Sequence, residues 1–228
     1  MEKDYGEIIL EEMSLSPKFS SWSIDLVSSW LSGRVLEIGC GIGSNLPYIR
    51  KFVSDVFVTD FNQNYLHHVV EKKLVNSKNA ILWDITKSPP TNFPEIDTVF
   101  CSNVIEHIKD DKHVLRNISQ IPGLKNLIMI VPANEWLMNK IDWNLGHYRR
   151  YSKSQIKSLF KDTDFEINKI FSFNKVGVLG WFFQGVFGNS LGKNNIILYN
   201  KLMPIIKFLD PIIPINGLSM VIIGELND

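Results

Sequence analysis

The sequence VLEIGCGIGSN, residues 35–45, decides the fold of this chain. It begins with apolar residues typical of a buried strand and runs into a glycine-rich turn that opens a helix. In α/β proteins this combination holds a nucleotide-like cofactor against backbone amides. Asp60 closes the next apolar run nineteen positions after Gly41, and that separation suits a carboxylate bonded to a ribose diol.

The spacing of the glycines separates two classes of cofactor. A dinucleotide-binding fingerprint has its third glycine three positions after the second, but Ser44 stands there and the third glycine is Gly43. The carboxylate of Glu37 would repel a diphosphate, whereas it can accept a hydrogen bond from an ammonium group. S-adenosylmethionine carries such a group, so the pattern favours it over a nicotinamide dinucleotide. A glycine-rich turn without a ligand is the remaining alternative.

From about Ser20 onward the chain resembles the class I S-adenosylmethionine-dependent methyltransferases, in particular a type 11/12-like group with a GHYRRYS segment. The motifs that carry the resemblance are the glycine loop, VFVTDFN with Asp60, ILWDIT with Asp84, DTVFCSNVIEHI with Glu106 and His107, and GHYRRYSKSQI. The resemblance implies an α/β, Rossmann-like, mostly parallel sheet of seven strands with helices on both faces. The implied strand order is 3-2-1-4-5-7-6, with strand 7 antiparallel.

The resemblance also implies which residues hold the cofactor. The glycines would admit its amino-acid end, with Glu37 close by, and Asp60 would hold the ribose. Asp84 would accept from the amine of adenine, with apolar neighbours beside the ring. The predicted cofactor-binding residues are Glu37, Gly39, Cys40, Gly41, Gly43, Asp60, Phe61, Asp84, Ile85 and Asn103.

Two histidines are the predicted catalytic residues, His107 after strand 4 and His147 in the GHYRRYS segment. In polyprenyl-phenol and small-RNA O-methyltransferases a similar Glu-x-x-Glu-His segment and a later His bind a divalent metal. Here Asn103 replaces the first Glu, which removes an anionic ligand, so we assign no metal ligands. Imidazole can instead serve as a general base for a hydroxyl acceptor. Metal binding by Glu106, His107 and His147 stays an open alternative.

The rest of the GHYRRYS segment supplies the predicted substrate-binding residues, which are Tyr148, Arg149 and Arg150. Adjacent arginines suit an anionic or carbonyl-bearing group on the acceptor, or the carboxylate of the cofactor. Solvated surface charge is the alternative interpretation. Ser152 and Gln155 form a capping-box pattern, so part of the segment is expected to start a helix.

The composition is that of one α/β domain. The chain has 228 residues, 45% of them hydrophobic, which is enough for one buried core. Basic and acidic residues both number 24, which argues against a nucleic-acid substrate. The acidic N-terminus lacks the features of a signal peptide and favours a cytoplasmic location. Cys40 and Cys101 are interpreted as small buried thiols rather than a redox pair.

Apolar runs alternate with helical patterns, as a parallel sheet requires. The predicted strands are residues 34–38, 56–59, 80–83, 96–101, 127–131, 165–173 and 218–224. The predicted helices lie near residues 45–52, 62–74 and 110–121, and Phe19, Trp22, Leu26 and Trp30 predict one more before strand 1. We interpret the chain as one domain, residues 1–228, with an N-terminal helical cap (1–32), a core (33–175), an apolar insertion (176–216) and a last strand (217–228).

The apolar insertion separates strands 6 and 7. It is rich in aromatic and aliphatic residues and is broken by Pro204, Pro211 and Pro214. It contains no uninterrupted apolar run long enough to cross a membrane. A cap over the acceptor ranks first, and it predicts an apolar or prenylated acceptor. A homodimer face and peripheral membrane contact through residues 176–216 are the alternatives.

Together these features predict an S-adenosylmethionine-dependent methyltransferase with a small-molecule or lipid-like acceptor. Oxygen is the preferred acceptor atom because of the nearby histidines. Two other classes stay open: an NAD(P)-dependent oxidoreductase, and a non-catalytic scaffold that keeps the fold.

Overall fold

The computed structural model describes residues 14–187 and 192–227, and it contains one seven-stranded sheet. Parts of the predicted cap, insertion and last strand, namely residues 1–13, 188–191 and 228, lie outside the described residues. The strands are β1 (Val35–Ile38), β2 (Val56–Asp60), β3 (Ala80–Leu82), β4 (Thr98–Ser102), β5 (Asn126–Pro132), β6 (Phe165–Phe173) and β7 (Ser219–Leu226).

The strand order is β3-β2-β1-β4-β5-β7-β6. Strands β1 to β5 pair in parallel, and β7 runs antiparallel to both β5 and β6. This confirms the predicted order and the direction of strand 7. The carboxyl ends of β1, β2 and β4 therefore meet at one edge, where open α/β sheets bind their ligands.

Helices surround the sheet. The α-helices are α1 (Pro17–Val27), α2 (Leu46–Ile49), α3 (Gln63–Glu71), α4 (Asp111–Ser119), α5 (Lys140–Asn144), α6 (Lys153–Lys161), α7 (Lys175–Phe187) and α8 (Lys193–Leu209). Short 3₁₀ turns lie at Ser28–Trp30, Ser77–Asn79, Ile105–His107 and Glu135–Leu137. The predicted helix 62–74 ends early because Lys73 adopts a left-handed φ of 55°, which a continuing right-handed helix cannot contain.

Strand residues alternate between two apolar clusters, one on each face of the sheet. On β1, Leu36 and Ile38 join the cluster that α4 and α6 cover, whereas Val35 joins the cluster of α1, α3 and α8. On β5, Leu127 and Ile128 divide in the same way. Both faces are thus buried, which explains why these strands are apolar throughout.

The insertion between β6 and β7 forms α7 and α8, which run antiparallel. The backbone N–H of Lys175, at the start of α7, donates to Asp210 Oδ1 just beyond α8, at 2.6 Å. Asn195, in the first turn of α8, donates to Gln184 Oε1 near the end of α7, at 3.3 Å. Among the described residues, no helix is both long enough and apolar enough to cross a membrane.

Candidate functional site

The glycine loop after β1 is held against the end of β2. The N–H groups of Gly39 and Cys40 both donate to the carbonyl of Thr59, at 2.8 and 3.1 Å. A Cβ on Gly39, whose φ is +69°, would lie 2.6 Å from the side chain of Val104. One on Gly43, with φ +82°, would lie within 2.9 Å of Leu74 and Val69. These glycines therefore permit a tight loop that packs directly on its neighbours.

Asp60, at the end of β2, fixes the same loop by hydrogen bonds. Its Oδ2 accepts from the N–H of Gly41 at 3.0 Å, and its Oδ1 accepts from the N–H of Asn62 at 2.9 Å. The residue is buried, and burial raises the pKa of its carboxyl although the two amides oppose this. The two parts of the sequence pattern, Asp60 and the glycine loop, are thus in direct contact. The next residue, Phe61, has 77% of its surface exposed at the same edge.

Glu37 is the buried acid of the loop. It is only 2% exposed, and its Oε1 accepts from Asn45 Nδ2 at 2.9 Å. Its Oε2 is buried without a hydrogen-bond partner among the described residues. Burial raises the pKa of Glu37 to about 8. Since an unpaired buried carboxylate oxygen is costly, this position fits a ligand that brings a cationic donor.

The predicted adenine end is a turn after β3. The carboxylate of Asp84 accepts from the N–H and the hydroxyl of Thr86, at 3.0 and 2.6 Å. These bonds, with Lys87, lower the pKa of Asp84. The side chains of Trp83 and Ile85 are buried in the apolar cluster beside α4. The contact of this turn with adenine stays a prediction.

The loop after β4 begins with Asn103. Its φ is +53°, a left-handed conformation that asparagine tolerates better than most residues. Its N–H donates to the carbonyl of Ile130 on β5 at 2.8 Å, and its side chain donates to Ser102 Oγ at 3.2 Å. Val104 then packs against Gly39. Asn103 therefore shapes the edge of the site through its backbone.

Glu106, His107 and His147 come together at this edge. The two imidazole rings meet edge to face, with centroids 4.7 Å apart. One ligand atom from each residue lies within 4.8 Å of the others, a spacing that one cation could bridge. Both carboxylate oxygens of Glu106 are buried without a hydrogen-bond partner in the part of the chain that the structure describes.

Two titratable groups of this cluster have displaced pKa values. Burial raises the pKa of Glu106 to about 8, so the residue is largely protonated at neutral pH. His107 keeps an exposed edge, yet desolvation of its ring and the adjacent imidazole of His147 lower the pKa of His107 to about 4. Glu106 and His107 are thus both largely uncharged at neutral pH.

Asp142 is a site residue that the sequence reasoning missed. It is fully buried, and its Oδ1 lies 2.9 Å from Nδ1 of His147. Nε of Arg150 donates to both carboxylate oxygens, each at 2.9 Å. Asp142 also closes a capping box with Asn139 at the start of α5, and that sequence pattern could have identified it.

The predicted substrate-binding residues have different environments. Arg150 is 3% exposed and also donates to the carbonyl of Ala133 at 3.0 Å. Arg149 pairs with Asp111 at 2.6 Å, and the hydroxyl of Tyr151 donates to the same carboxylate at 2.8 Å. Of the three predicted residues, only Tyr148 has a mainly exposed side chain. Both arginines thus contact carboxylates and carbonyls of the chain, and contact of the three residues with an acceptor stays a prediction.

The insertion contacts this network directly. The guanidinium of Arg150 lies over the ring of Trp181 on α7, 4.5 Å from its centroid. Arg150 thereby joins three parts of the molecule: α7, the end of β5 and the carboxylate that contacts His147. A cation–π contact at a buried guanidinium contributes about 2 kcal/mol.

A sheet of this order, with a glycine loop after β1 and an acid at the end of β2, is the Rossmann-like methyltransferase fold. The methyltransferase-domain family matches residues 19–170, and the chain belongs to this family. A curated relative is N-methyltransferase 4 of Papaver somniferum, 31% identical over 90 residues. That match covers 37% of this chain and 25% of the relative, so the chain spans about a quarter of its length.

Solved structures with the same fold come from distant sequences. A SAM-dependent methyltransferase from Aquifex aeolicus is 13% identical, with 99% of this chain and 100% of that chain covered and a TM-score of 0.57. Magnesium protoporphyrin IX methyltransferase from Synechocystis PCC 6803, solved with bound SAM, is 14% identical, with coverages of 91% and 79% and a TM-score of 0.54. At these identities the likeness establishes the fold.

Proposed function

We propose that this protein is an S-adenosylmethionine-dependent methyltransferase that acts on a hydroxyl group of a small-molecule or lipid-like acceptor. The observation that carries the cofactor assignment is Oε2 of Glu37 beside the glycine loop, which has no hydrogen-bond partner within residues 14–187 and 192–227. It offers an acceptor to the ammonium of the amino-acid end. A dinucleotide would instead place a diphosphate beside this acid. The SAM bound to the Synechocystis enzyme supports the same assignment.

The residues that would hold the cofactor lie at one edge of the sheet. Gly39, Gly41 and Gly43 form the loop, Glu37 takes the ammonium group, and Asp60 takes the ribose with the second lone pairs of its oxygens. When bound, the cofactor supplies a methyl group that a sulfonium makes electrophilic. The protein contributes alignment and removal of the acceptor proton.

His147 is the general base of this proposal. Because Asp142 lies 2.9 Å from Nδ1 of His147, Nδ1 carries the proton and Nε2 keeps its lone pair. Nε2 takes the proton of the acceptor hydroxyl and leaves the oxygen as the nucleophile. Asp142 holds the ring orientation and stabilises the imidazolium that forms, and Arg150 holds Asp142. His107, neutral at physiological pH, borders the acceptor.

A divalent cation at Glu106, His107 and His147 is the alternative use of the same cluster. The observation that favours it is the 4.8 Å spacing together with the unpaired oxygens of Glu106. If His147 acts as the base, treatment with EDTA followed by desalting leaves methyl transfer unchanged. If a cation activates the acceptor, the same treatment abolishes transfer, and added Mg²⁺ or Zn²⁺ restores it.

The first test is calorimetric titration with S-adenosylhomocysteine, with NAD in parallel. We expect micromolar binding of S-adenosylhomocysteine that weakens at least about tenfold in Asp60→Ala, since the variant loses both the ribose partner and the anchor of the loop. Asp84→Ala reports on the adenine end in the same assay. Binding of NAD alone would favour an oxidoreductase, and binding of neither ligand would favour a scaffold.

A further inference from the structure

Helices α7 and α8 carry an outer apolar face. On α7 one set of exposed apolar residues recurs at a spacing of three and four, and on α8 another set recurs at four, three and four, so each set lies along one side of its helix. The residues of this outer apolar face are Leu179, Phe182, Val186, Leu198, Leu202, Ile205 and Leu209. Their exposed fractions run from 39% for Leu209 to 60% for Leu179.

This face is separate from the core contacts of α8. Ile196, Met203 and Ile206 are buried, and the last two join the apolar cluster under the sheet. Helix α8 also binds α1, since the N–H of Lys18 donates to Asn200 Oδ1 at 3.0 Å. The helix is therefore apolar on its packed side and on its open side. A contiguous exposed apolar surface of this kind marks an interaction site.

The exposed charges that the insertion itself contributes have one sign. The insertion, residues 176–216, contains three lysines and a single acid, Asp210, in a chain that has 24 basic and 24 acidic residues in all. Asp210 is 6% exposed and accepts from the backbone of Lys175. The exposed charges of the insertion are thus positive, and they include Lys193 and Lys201 on α8.

We propose that the outer apolar face docks on the surface of a membrane that contains anionic lipids. Apolar residues flanked by lysines are the pattern of interfacial helices, because the lysines reach the lipid headgroups. Trp136, 66% exposed, lies 6.3 Å from the ring of Phe182 and adds an indole, which prefers the membrane interface. If the same face bound a second copy of the chain, the lysines of the two insertions would be brought close together and would repel each other. This inference does not rest on the proposed methyltransferase activity.

Vesicle co-sedimentation of the full chain tests the proposal. The probes are vesicles of phosphatidylcholine and vesicles of phosphatidylcholine and phosphatidylglycerol in equal parts. We expect binding to the anionic vesicles, weaker binding to the neutral ones, and loss of binding as salt rises. Leu202→Glu with Ile205→Glu should lower partitioning at least about tenfold, and Lys193→Glu with Lys201→Glu should lower it about tenfold or more.

Matched controls come from the rest of the surface. Phe52→Glu with Leu82→Glu replaces side chains of similar exposure, 46% and 49%, and Lys72→Glu with Lys78→Glu replaces two exposed lysines. Both controls should bind vesicles as the unchanged protein does. Binding of S-adenosylhomocysteine and the thermal midpoint, measured on every variant, separate a docking defect from unfolding.

Three outcomes would overturn the docking proposal. The unchanged protein could stay in the supernatant with both kinds of vesicle. The control variants could lose as much binding as the face variants. The protein could fail to bind vesicles and instead form a dimer, detected by sedimentation equilibrium, that Leu202→Glu dissociates. That result would assign the face to a second copy of the chain.

Discussion

At the scale of single residues, Glu37 joins stability to function. A glutamate whose Oε2 has no partner in the described structure is an unfavourable choice for an apolar strand unless a ligand supplies the missing donor. The neighbouring Asp60 has both oxygens bonded to backbone amides and stabilises the loop by itself. The two acids of the site therefore differ. Asp60 holds the loop by hydrogen bonds, whereas Glu37 has an acceptor oxygen that a ligand can use.

The variant Glu37→Gln tests this assignment. We expect S-adenosylhomocysteine to bind about tenfold or more weakly, because a neutral amide replaces an acid that ionises when the ammonium group binds beside it. Isothermal titration calorimetry measures the change. Glu166→Gln, at an exposed glutamate on β6, is the matched control and should leave the affinity unchanged. Equal affinity in Glu37→Gln and the unchanged protein would contradict the role given to Glu37.

Asp142 is the second residue with a specific expectation. Asp142→Asn should lower kcat about 10²-fold while KM for the cofactor and S-adenosylhomocysteine affinity stay unchanged, because the imidazole of His147 loses its orienting carboxylate. Steady-state kinetics and calorimetry separate the two effects. Asp111→Asn, which breaks the pair with Arg149 but does not touch His147, controls for loss of a buried ion pair.

A double variant distinguishes positioning from structure. If Asp142 acts through His147, His147→Gln and the double variant His147→Gln/Asp142→Asn have the same kcat, since the carboxylate has nothing left to orient. A purely structural role would make the two losses independent and multiply them. Thermal unfolding of each variant measures how much stability is lost when the contact between Arg150 and residue 142 is weakened.

At the scale of elements, the glycine loop depends on close packing between β1 and α3. A side chain at Gly43 would require a φ of +82° and would overlap Leu74 and Val69. The loop therefore joins strand to helix only without a Cβ at this position. Since the loop carries the N–H that Asp60 binds, a shift of the loop also disturbs the cofactor edge.

Gly43→Ala tests the packing of the loop. We expect a loss of about 1–3 kcal/mol in the free energy of unfolding, from strain and overpacking, together with weaker S-adenosylhomocysteine binding. Urea unfolding and calorimetry provide the two measurements. Gly180→Ala on α7 is the matched control, because a Cβ there meets nothing within 4 Å and its backbone is helical. The control should be neutral or slightly stabilising.

At the scale of the whole molecule, burial of Glu37 makes stability depend on pH. Its pKa is about 8 in the folded protein and about 4.3 in an unfolded chain. Between these values the folded state holds a proton that the unfolded state has released. The contribution of Glu37 to stability is therefore fully present below the unfolded pKa and is lost as pH rises through the folded pKa.

The comparison of Glu37→Gln with the unchanged protein isolates this effect. Without ligand, the variant should gain stability relative to the unchanged protein as pH rises from 5 to 8, by up to about 1.4 kcal/mol per pH unit. Urea unfolding at each pH measures the difference. If the stability of Glu37→Gln relative to the unchanged protein fell as pH rises, the result would contradict the raised pKa of Glu37. Glu166→Gln should follow the unchanged protein throughout.

The sequence by itself determined the strands of the sheet and placed the glycine loop and Asp60 at one edge of it. Apolar runs and glycine spacing are local properties, and parallel strand topology brings the ends of β1, β2 and β4 together. Two contacts join positions whose spacing can be seen in the sequence: Asp60 with the glycine loop, and Ser152 with Gln155 in the capping box. The resemblance to a known family supplied the strand order.

Only the tertiary structure decided the partners of the charged groups. Recognition of an acceptor by Arg149 and Arg150 stays a prediction from the sequence, whereas the carboxylates of Asp111 and Asp142 that contact these arginines are visible only in the folded chain. Folding also left Oε2 of Glu37 without a partner in the part of the chain that the structure describes, and it left one apolar side of α8 exposed. Desolvation and long-range ion pairing depend on which surfaces come into contact when the chain folds. Local sequence patterns do not specify these tertiary contacts.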